Sequence, residues 1–253
     1  MGGFLQTPFL PDKKISHVLV DTRTPIEIIH AFKKQNIVPI LAPMSKKLYA
    51  AVAGHPDMLM HPLADDVIVV APDVYQAYSS SLEALNIKLL RGKSEIKSNY
   101  PESIAYNVAR IDKIAFHHTQ YTDKVIREYF EQKQIKLIHV NQGYAKCAVC
   151  IVNQKAIITA DKSIAKVCDC YNIDVLLIRP GFIVLPGLDY GFIGGATGKI
   201  SANTLVVAGN IKYHPDYTKI VAFCKKHNVY VKSMMDKPMI DIGSIIPLRY
   251  MYK

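Results

Sequence analysis

SIIPLRY, residues 244–250, is a strand-forming run with no helix and no further strand after it. At the other end of the chain, HVLVD (17–21) is a β-branched strand that leads toward a helix with no strand before it. Between these ends the pattern is complete four times. DVIVVAP (66–72), DKIAFHH (112–118), KAIITAD (155–161) and NTLVVAGN (203–210) repeat the HVLVD signal, and successive starts lie 49, 46, 43 and 48 residues apart. Each of these four has an extra strand in front of it: DMLMHPL (57–63), SIAYNVAR (103–110), KCAVCIVN (146–153) and GFIGGATGK (191–199). A repeat of this period is one supersecondary unit that buries its apolar face against its neighbours. The simplest account is circular. SIIPLRY supplies the strand that HVLVD lacks, and five β-β-α-β units close into a ring with no open end. The expectation is one α/β domain over 1–253, with units at 244–250 plus 15–54, 55–100, 101–145, 146–190 and 191–243.

An amphipathic helix is predicted after each β-branched strand. Apolar stripes run through Val74, Ala77, Tyr78, Leu82 and Leu85, through Ile164, Val167, Cys168 and Tyr171, and through Tyr217, Ile220, Val221 and Cys224. Thr24-Pro25-Ile26-Glu27 reads as a capping box with Pro at the first helical position. Each helix then drops into a third strand that opens on a polar residue: NIVPILA (36–42), NIKLLRG (86–92), QIKLIHV (134–140), NIDVLLIR (172–179) and NVYVKSM (228–234). Asn adopts the left-handed conformation that stops a helix.

Composition narrows the function classes. Half of the 253 residues are hydrophobic and 21% are charged, which is globular composition with enough chain for a sizeable core. No apolar run approaches the length of a membrane span. The start MGGFLQTPFLPDKK lacks the basic and apolar regions of a secretory signal, and Gln6 breaks the myristoylation pattern. Five cysteines without such a signal predict free thiols in a reducing cytoplasm. The net charge of +10 is scattered over pairs such as Lys13-Lys14, Lys33-Lys34 and Lys225-Lys226, which reads as a solvated basic surface before it reads as a nucleic-acid patch.

In such a ring the first strand of each unit faces the axis, so the ends of those strands converge. His55-Pro56-Asp57 opens the second unit, and an imidazole fixed by a neighbouring carboxylate is a general acid/base. Cys147 follows Gly143-Tyr144-Ala145-Lys146 and is the candidate nucleophile, with Lys146 expected to depress its thiol pKa. The competing reading is a small core residue. Cys147-x-x-Cys150 and Cys168-x-Cys170 have near zinc-ribbon spacing. On a strand, positions three apart point to opposite faces, and residues two apart on a helix diverge by about 200°, so no metal or cofactor is expected. The run Gly191–Gly198 offers exposed N–H groups and room for an anionic or bulky ligand, or is a bulge or turn. Asn107, Tyr106, Gln142 and Tyr144 lie on or beside the inner strands and suit either a ligand or buried backbone groups.

A single domain of five β-β-α-β units resembles the pentein fold, or five-bladed α/β propeller, of arginine and agmatine deiminases, glycine amidinotransferase and dimethylarginine hydrolase. The resemblance spans residues 15–250. His55-Pro56-Asp57, with the turn at Ala64-Asp65-Asp66 and DVIVVAP behind it, resembles the family's His-x-Asp motif, and Gly143–Cys147 resembles its nucleophile segment one whole unit later. The resemblance implies a cysteine-dependent hydrolase or transferase acting on an amidine- or guanidine-like carbon through a covalent intermediate. Cys147 would be the nucleophile and His55 the acid/base, oriented by Asp57. Asp241, Ser244, Gly194, Gly195, Asn107 and Lys146 would hold a small-molecule substrate. The units would be circularly permuted relative to the deiminases. The chain departs from the family's carboxylates. Gly191–Gly198 holds no acid where the deiminases have an Asp, and Asp241 and Ser244 stand for a Glu and an Asp. That loss and the basic charge carry the alternative: a non-catalytic binding protein for ribosome or RNA, like the ribosome anti-association factor of the same fold.

Overall fold

Residues with two substituents on Cβ favour extended backbone, and five such runs become the middle strands of five sheets. The computed structural model describes residues 3–64 and 66–251. In chain order the elements are β1 (Ile15–Asp21), α1 (Ile26–Lys33) and β2 (Val38–Ala42), then α2 (Pro56–Leu59), β3 (Met60–Ala64), β4 (Val67–Val70), α3 (Tyr75–Leu82) and β5 (Lys88–Arg91). They continue as β6 (Ala109–Ile111), β7 (Ile114–His117), α4 (Lys124–Gln132) and β8 (Lys136–His139), then α5 (Ala145–Ala148), β9 (Val149–Asn153), β10 (Ala156–Thr159), α6 (Lys162–Asp169) and β11 (Asp174–Leu177). The last are β12 (Thr197–Ser201), β13 (Thr204–Val207), α7 (Tyr217–Lys226), β14 (Tyr230–Ser233) and β15 (Ile246–Tyr250).

The sheet orders are β15-β1-β2, β3-β4-β5, β6-β7-β8, β9-β10-β11 and β12-β13-β14. In each, the first strand is antiparallel to the middle one, and the third, reached through a helix, is parallel to it. The first sheet draws on both ends of the chain, with Leu19 opposite Ile246. The helices hand over to the third strands as expected: Asn36, Asn86, Asn172 and Asn228 have φ of 58°, 56°, 52° and 57°, and Gln134 takes the same role at 53°. Burial falls across each sheet. First strands such as β6 and β15 are buried throughout, whereas third strands such as β11 and β14 are half-exposed or exposed. β9 packs beside β6 and β12, and β12 beside β15, so the first strands share the interior. No helix of the described residues is long and apolar enough to cross a membrane.

Two expectations are corrected, and a third falls partly outside the described residues. The predicted first strands 57–63, 103–110, 146–153 and 191–199 begin too early; regular strand starts at Met60, Ala109, Val149 and Thr197. The segments ahead are buried apart from the half-buried Phe192, so their apolar runs carry no strand alternation, and two of the segments close into the single helical turns α2 and α5. Thr24 does not cap α1. Its hydroxyl donates back to the Asp21 carbonyl at 2.6 Å, and Pro25 is the N-cap. The turn expected at Ala64-Asp65-Asp66 falls partly on Asp65, outside the described residues.

The N-terminal arm folds back onto the interior. Phe4 bridges to Arg249, and Leu5 and Phe9 are buried. Phe9 has φ of 66°, a costly conformation for a bulky residue, and its ring lies 5.8 Å from that of His61 and 5.3 Å from Lys146 Nζ.

Candidate active site

The segments just ahead of the first strands meet one another. Asp57 N donates to Gly243 O at 3.2 Å, Asn107 Nδ2 to Asp57 O at 3.2 Å, and Lys146 N to Asn107 O at 3.1 Å. Gly195 N donates to Cys147 O at 3.0 Å, and Ser244 N to Gly195 O at 2.8 Å, which returns to the first unit. His55 is the N-cap of α2, with Pro56 at the first helical position, where its missing N–H costs nothing. Tyr144 caps α5, whose four residues are all buried.

Cys147 stands at the centre. Its thiol donates to Asp57 Oδ2 at 3.1 Å and its sulfur accepts from Asn107 Nδ2 at 3.1 Å. Asn107 Oδ1 in turn accepts from the amides of Lys146 (2.8 Å) and Cys147 (3.2 Å), so one amide side chain clamps α2 to α5. Ser244 Oγ donates to Asp57 Oδ2 at 2.5 Å and accepts from Lys146 Nζ at 2.8 Å. Asp57 Oδ1 is buried with no partner among the described residues. His55 Nδ1 is likewise unpartnered, 3.8 Å from Asp241 Oδ1, while its Nε2 lies 3.9 Å from Asp21 Oδ2. Asp241 is anchored by the amides of Phe192 (2.8 Å) and Gly243 (3.0 Å).

Desolvation dominates the electrostatics. Burial lifts the Asp57 carboxyl above the usual range, and lifts Asp241 to about 6 against its two amide donors. It pushes the Cys147 thiol well up, with Asp57 and Asp241 adding to the rise. His55 and Lys146 are driven down by the same cause, against the pull of the carboxylates. The resting site therefore disfavours every charge it holds, and a cation brought among its acids would relieve them.

A cavity of about 240 Å³ opens onto this cluster, with His55, Cys147 and Asp241 among its lining residues. Asp57, Asn107, Lys146, Ser244, Gly194 and Gly195 lie behind that floor, each joined to it or to one another by a hydrogen bond or a close backbone approach. Two expectations fail here. Lys146 does not bring the thiol below its ordinary value: its Nζ donates to Ser244 Oγ and Gly194 O, and burial with the nearby Asp57 and Asp241 outweighs its pull on the thiolate. Gly194 and Gly195 do not leave room for a ligand. A Cβ on Gly195 would lie 2.0 Å from Asp241 Oδ1, and one on Gly194 would lie 2.3 Å from the carbonyl oxygens of Lys146 and Val149.

Asp21 is the residue that sequence reasoning missed. It is buried beside His55 and held by Arg23, whose Nε and Nη2 donate to it at 3.0 and 2.6 Å. Its signal was its place at the carboxyl end of a strand that runs parallel to its neighbour, where ligand-facing groups collect. One imidazole nitrogen of His55, a carboxylate oxygen of Asp57 and Cys147 Sγ lie within 4.8 Å of one another, a donor set that could hold a metal ion. The Cys147 and Cys150 pair proposed and rejected as zinc ligands is divided differently from expectation, Cys147 lying on a helical turn and Cys150 on β9. All five cysteines are free.

Among curated proteins none matches this sequence. Solved structures do. The inosamine-phosphate amidinotransferase of Streptomyces griseus aligns with TM-score 0.60 over 99% of this chain and 98% of its own, at 9% identity. Agmatine deiminase from C. jejuni with substrate bound aligns with TM-score 0.58 over 98% and 96%, at 8% identity. DDAH from Pseudomonas aeruginosa, complexed with citrulline, aligns with TM-score 0.57 over 87% and 92%, at 6% identity. These are pentein-superfamily structures, and at such identities the likeness is one of fold. At the level of sequence, the model of a family of unknown function, DUF6873, matches residues 19–246. The chain belongs to that family, DUF6873, and carries the α/β fold of the penteins.

Proposed function

We propose that the five sheets close into one five-bladed α/β propeller domain, and that its hub is the active site of a cysteine-dependent hydrolase or transferase for an amidine- or guanidine-like carbon. Closure is supported by the circuit of hydrogen bonds from unit to unit and by β15 completing the first sheet. The observation that carries the activity is the cavity floor, where a thiol, an imidazole and carboxylates converge. The structural likeness to an inosamine-phosphate amidinotransferase, a DDAH and an agmatine deiminase agrees with it.

In this reading the cationic head group of the substrate enters against Asp241 at the floor, with the Asp57 carboxyl behind Cys147. Its charge offsets theirs and lowers the free energy of the thiolate, which burial otherwise disfavours. The proton on Sγ passes to Asp57 Oδ2, and sulfur attacks the central carbon. That proton is returned through His55 to the departing amine, the C–N bond breaks, and an S-linked thiouronium or thioimidate remains. Water deprotonated by His55 then attacks the same carbon and the C–S bond breaks. The products are a urea or amide and the free thiol; a transferase uses an acceptor amine in place of water. Asn107 and Asp21 are positioning residues, the first for Sγ and the second for the imidazole. Five free thiols suit a reducing, cytoplasmic setting.

Labelling with chloroacetamidine and with chloroacetamide tests the site. The two alkylators are matched in size and differ in charge. The cationic reagent should modify Cys147 at least about tenfold faster, read by intact mass and peptide mapping. Equal rates would remove the reading. Prolonged EDTA treatment should leave turnover unchanged; its loss would favour a metal held by His55, Asp57 and Cys147 instead. The non-catalytic binding alternative is not favoured, since the fold relatives are enzymes and the hub holds a reactive constellation.

A further inference from the structure

The walls of the same cavity speak to the rest of the substrate. They are formed by Val52, Met58, Leu185 and Phe192, with the rings of Tyr49 and Tyr144. The charged side chains that line the cavity among the described residues are acids: Asp241 at the floor, with the imidazole of His55 beside it, and Asp189, which is exposed. Among the described residues no lysine or arginine lines it.

Three cations on the surrounding segments are committed elsewhere. Lys146 lies behind the floor on Ser244. Arg23 faces an adjoining recess of about 110 Å³, which shares His55, Leu185 and Asp241 with the cavity, and there Asp21 and the carbonyls of Ala50 and Ala51 engage it. Arg179 faces a third cavity and is engaged by Asp216 through Nε (3.1 Å) and Nη2 (3.0 Å). A carboxylate on the substrate would thus find no counter-ion in the cavity, and would lie in the field of Asp241 and Asp189. A buried anion without a partner is strongly disfavoured. An apolar tail would instead gain the burial that these walls offer.

We propose, resting on the reading of the hub as an amidine or guanidine site, that the substrate is a carboxylate-free amidine or guanidine whose other substituent is an alkyl or aryl group. Amino-acid guanidines such as arginine are excluded by the charge of the walls. Asp189 extends this preference to the entrance, where it accepts a tail that ends in a neutral or cationic group.

Protection of Cys147 against chloroacetamidine tests the proposal without requiring turnover. Hexylguanidine and benzylguanidine should protect at concentrations at least about 30-fold below those needed of 4-guanidinobutyrate or arginine, the size of discrimination expected when one partner brings an uncompensated charge. The variant Asp189→Lys, at an exposed position, should narrow that gap several-fold by improving the carboxylated ligands. Equal or better protection by the carboxylated guanidines of the unaltered protein would overturn the substrate class while leaving the hub as an active site. If Cys147 is labelled by chloroacetamidine no faster than by chloroacetamide and no guanidine protects it, both readings fall together.

Discussion

Asp57-Met58 and Lys146-Cys147 hold the same two places in their repeats and share almost no chemistry. Each pair sits in a four-residue helix, ahead of Met60 in one unit and of Val149 in the other. Asn107 Nδ2 reaches both sulfurs, 3.3 Å from Met58 Sδ and 3.1 Å from Cys147 Sγ. The fifth unit puts Gly194-Gly195 in those places ahead of Thr197; carbonyls of Lys146, Cys147 and Val149 occupy the side-chain space at Gly194, and the carboxylate of Asp241 occupies it at Gly195. The repeat thus offers the same hub position more than once, while side-chain choice decides which unit supplies an acid, which a thiol and which an empty place. Fold and chemistry are separable here, as they are across superfolds generally.

The sharpest way to break this comparison is to remove the thiol. Cys147→Ala should abolish turnover of a carboxylate-free guanidine, by at least about 10³-fold, because a covalent route has no substitute nucleophile at that point. Single-turnover assays with mass detection of the S-linked intermediate check it. Retention of activity would mean that the sulfur is only packing, like that of Met58.

Filling the empty place comes next. Gly195→Ala brings a methyl group onto the Asp241 carboxylate, whose own position is fixed by the amides of Phe192 and Gly243. The cost should be about 3 kcal/mol, and for a chain of this length the melting temperature should fall by about 6–12 °C. An unchanged melt would show that the hub relaxes, and that Asp241 is not locked where the substrate needs it.

This comparison also explains what could be read in advance. The fivefold repeat is legible because β-branched middle strands and left-handed Asn residues recur in every unit, and both are local signals. The hub segments are not legible as such. A single turn like Ala145–Ala148 is too short to display a 3.6-residue period, and residues 103–108, buried from all sides, mimic a strand. Lys146 looked like the group that would set the thiol because it is its neighbour in sequence, yet its Nζ is held by Ser244 and Gly194 O and burial outweighs its pull. Gly194-Gly195 looked like open space because the groups that fill it, the Asp241 carboxylate far along the same repeat and the carbonyls of Lys146, Cys147 and Val149 from the repeat before, reach the glycines only in the folded chain. Asp21 was invisible as a site residue for the same reason: its proximity to His55 exists only once the first unit packs against the second.

Asp241 also separates stability from activity by pH. Burial holds its folded pKa at about 6, above the unfolded carboxylate value near 4. Its contribution to stability is therefore fully present below about pH 4 and is lost as pH rises through about 6, by roughly 3 kcal/mol over a shift of about two units. Binding of a cationic head group runs the other way, since only the ionised carboxylate attracts it. Between pH 4.5 and 7.5, kcat/KM should rise while this site's share of thermal stability falls, and Asp241→Asn should flatten both trends. A kcat/KM that declines across that window would show that Asp241 does not bind substrate as an anion.

The smallest effect should come from the other sulfur. Met58→Leu is a near volume-conserving change in a buried place, and such changes cost less than about 1.5 kcal/mol. It removes the thioether that accepts from Asn107 Nδ2, but leaves that amide its bonds to Asp57 O and Cys147 Sγ. Turnover should therefore change by less than about threefold, with the pH profile unmoved. Should Met58→Leu instead shift the pH profile of Cys147 alkylation, the two sulfurs would be coupled through Asn107. Helix α2 would then tune the nucleophile through its thioether as well as through its acid.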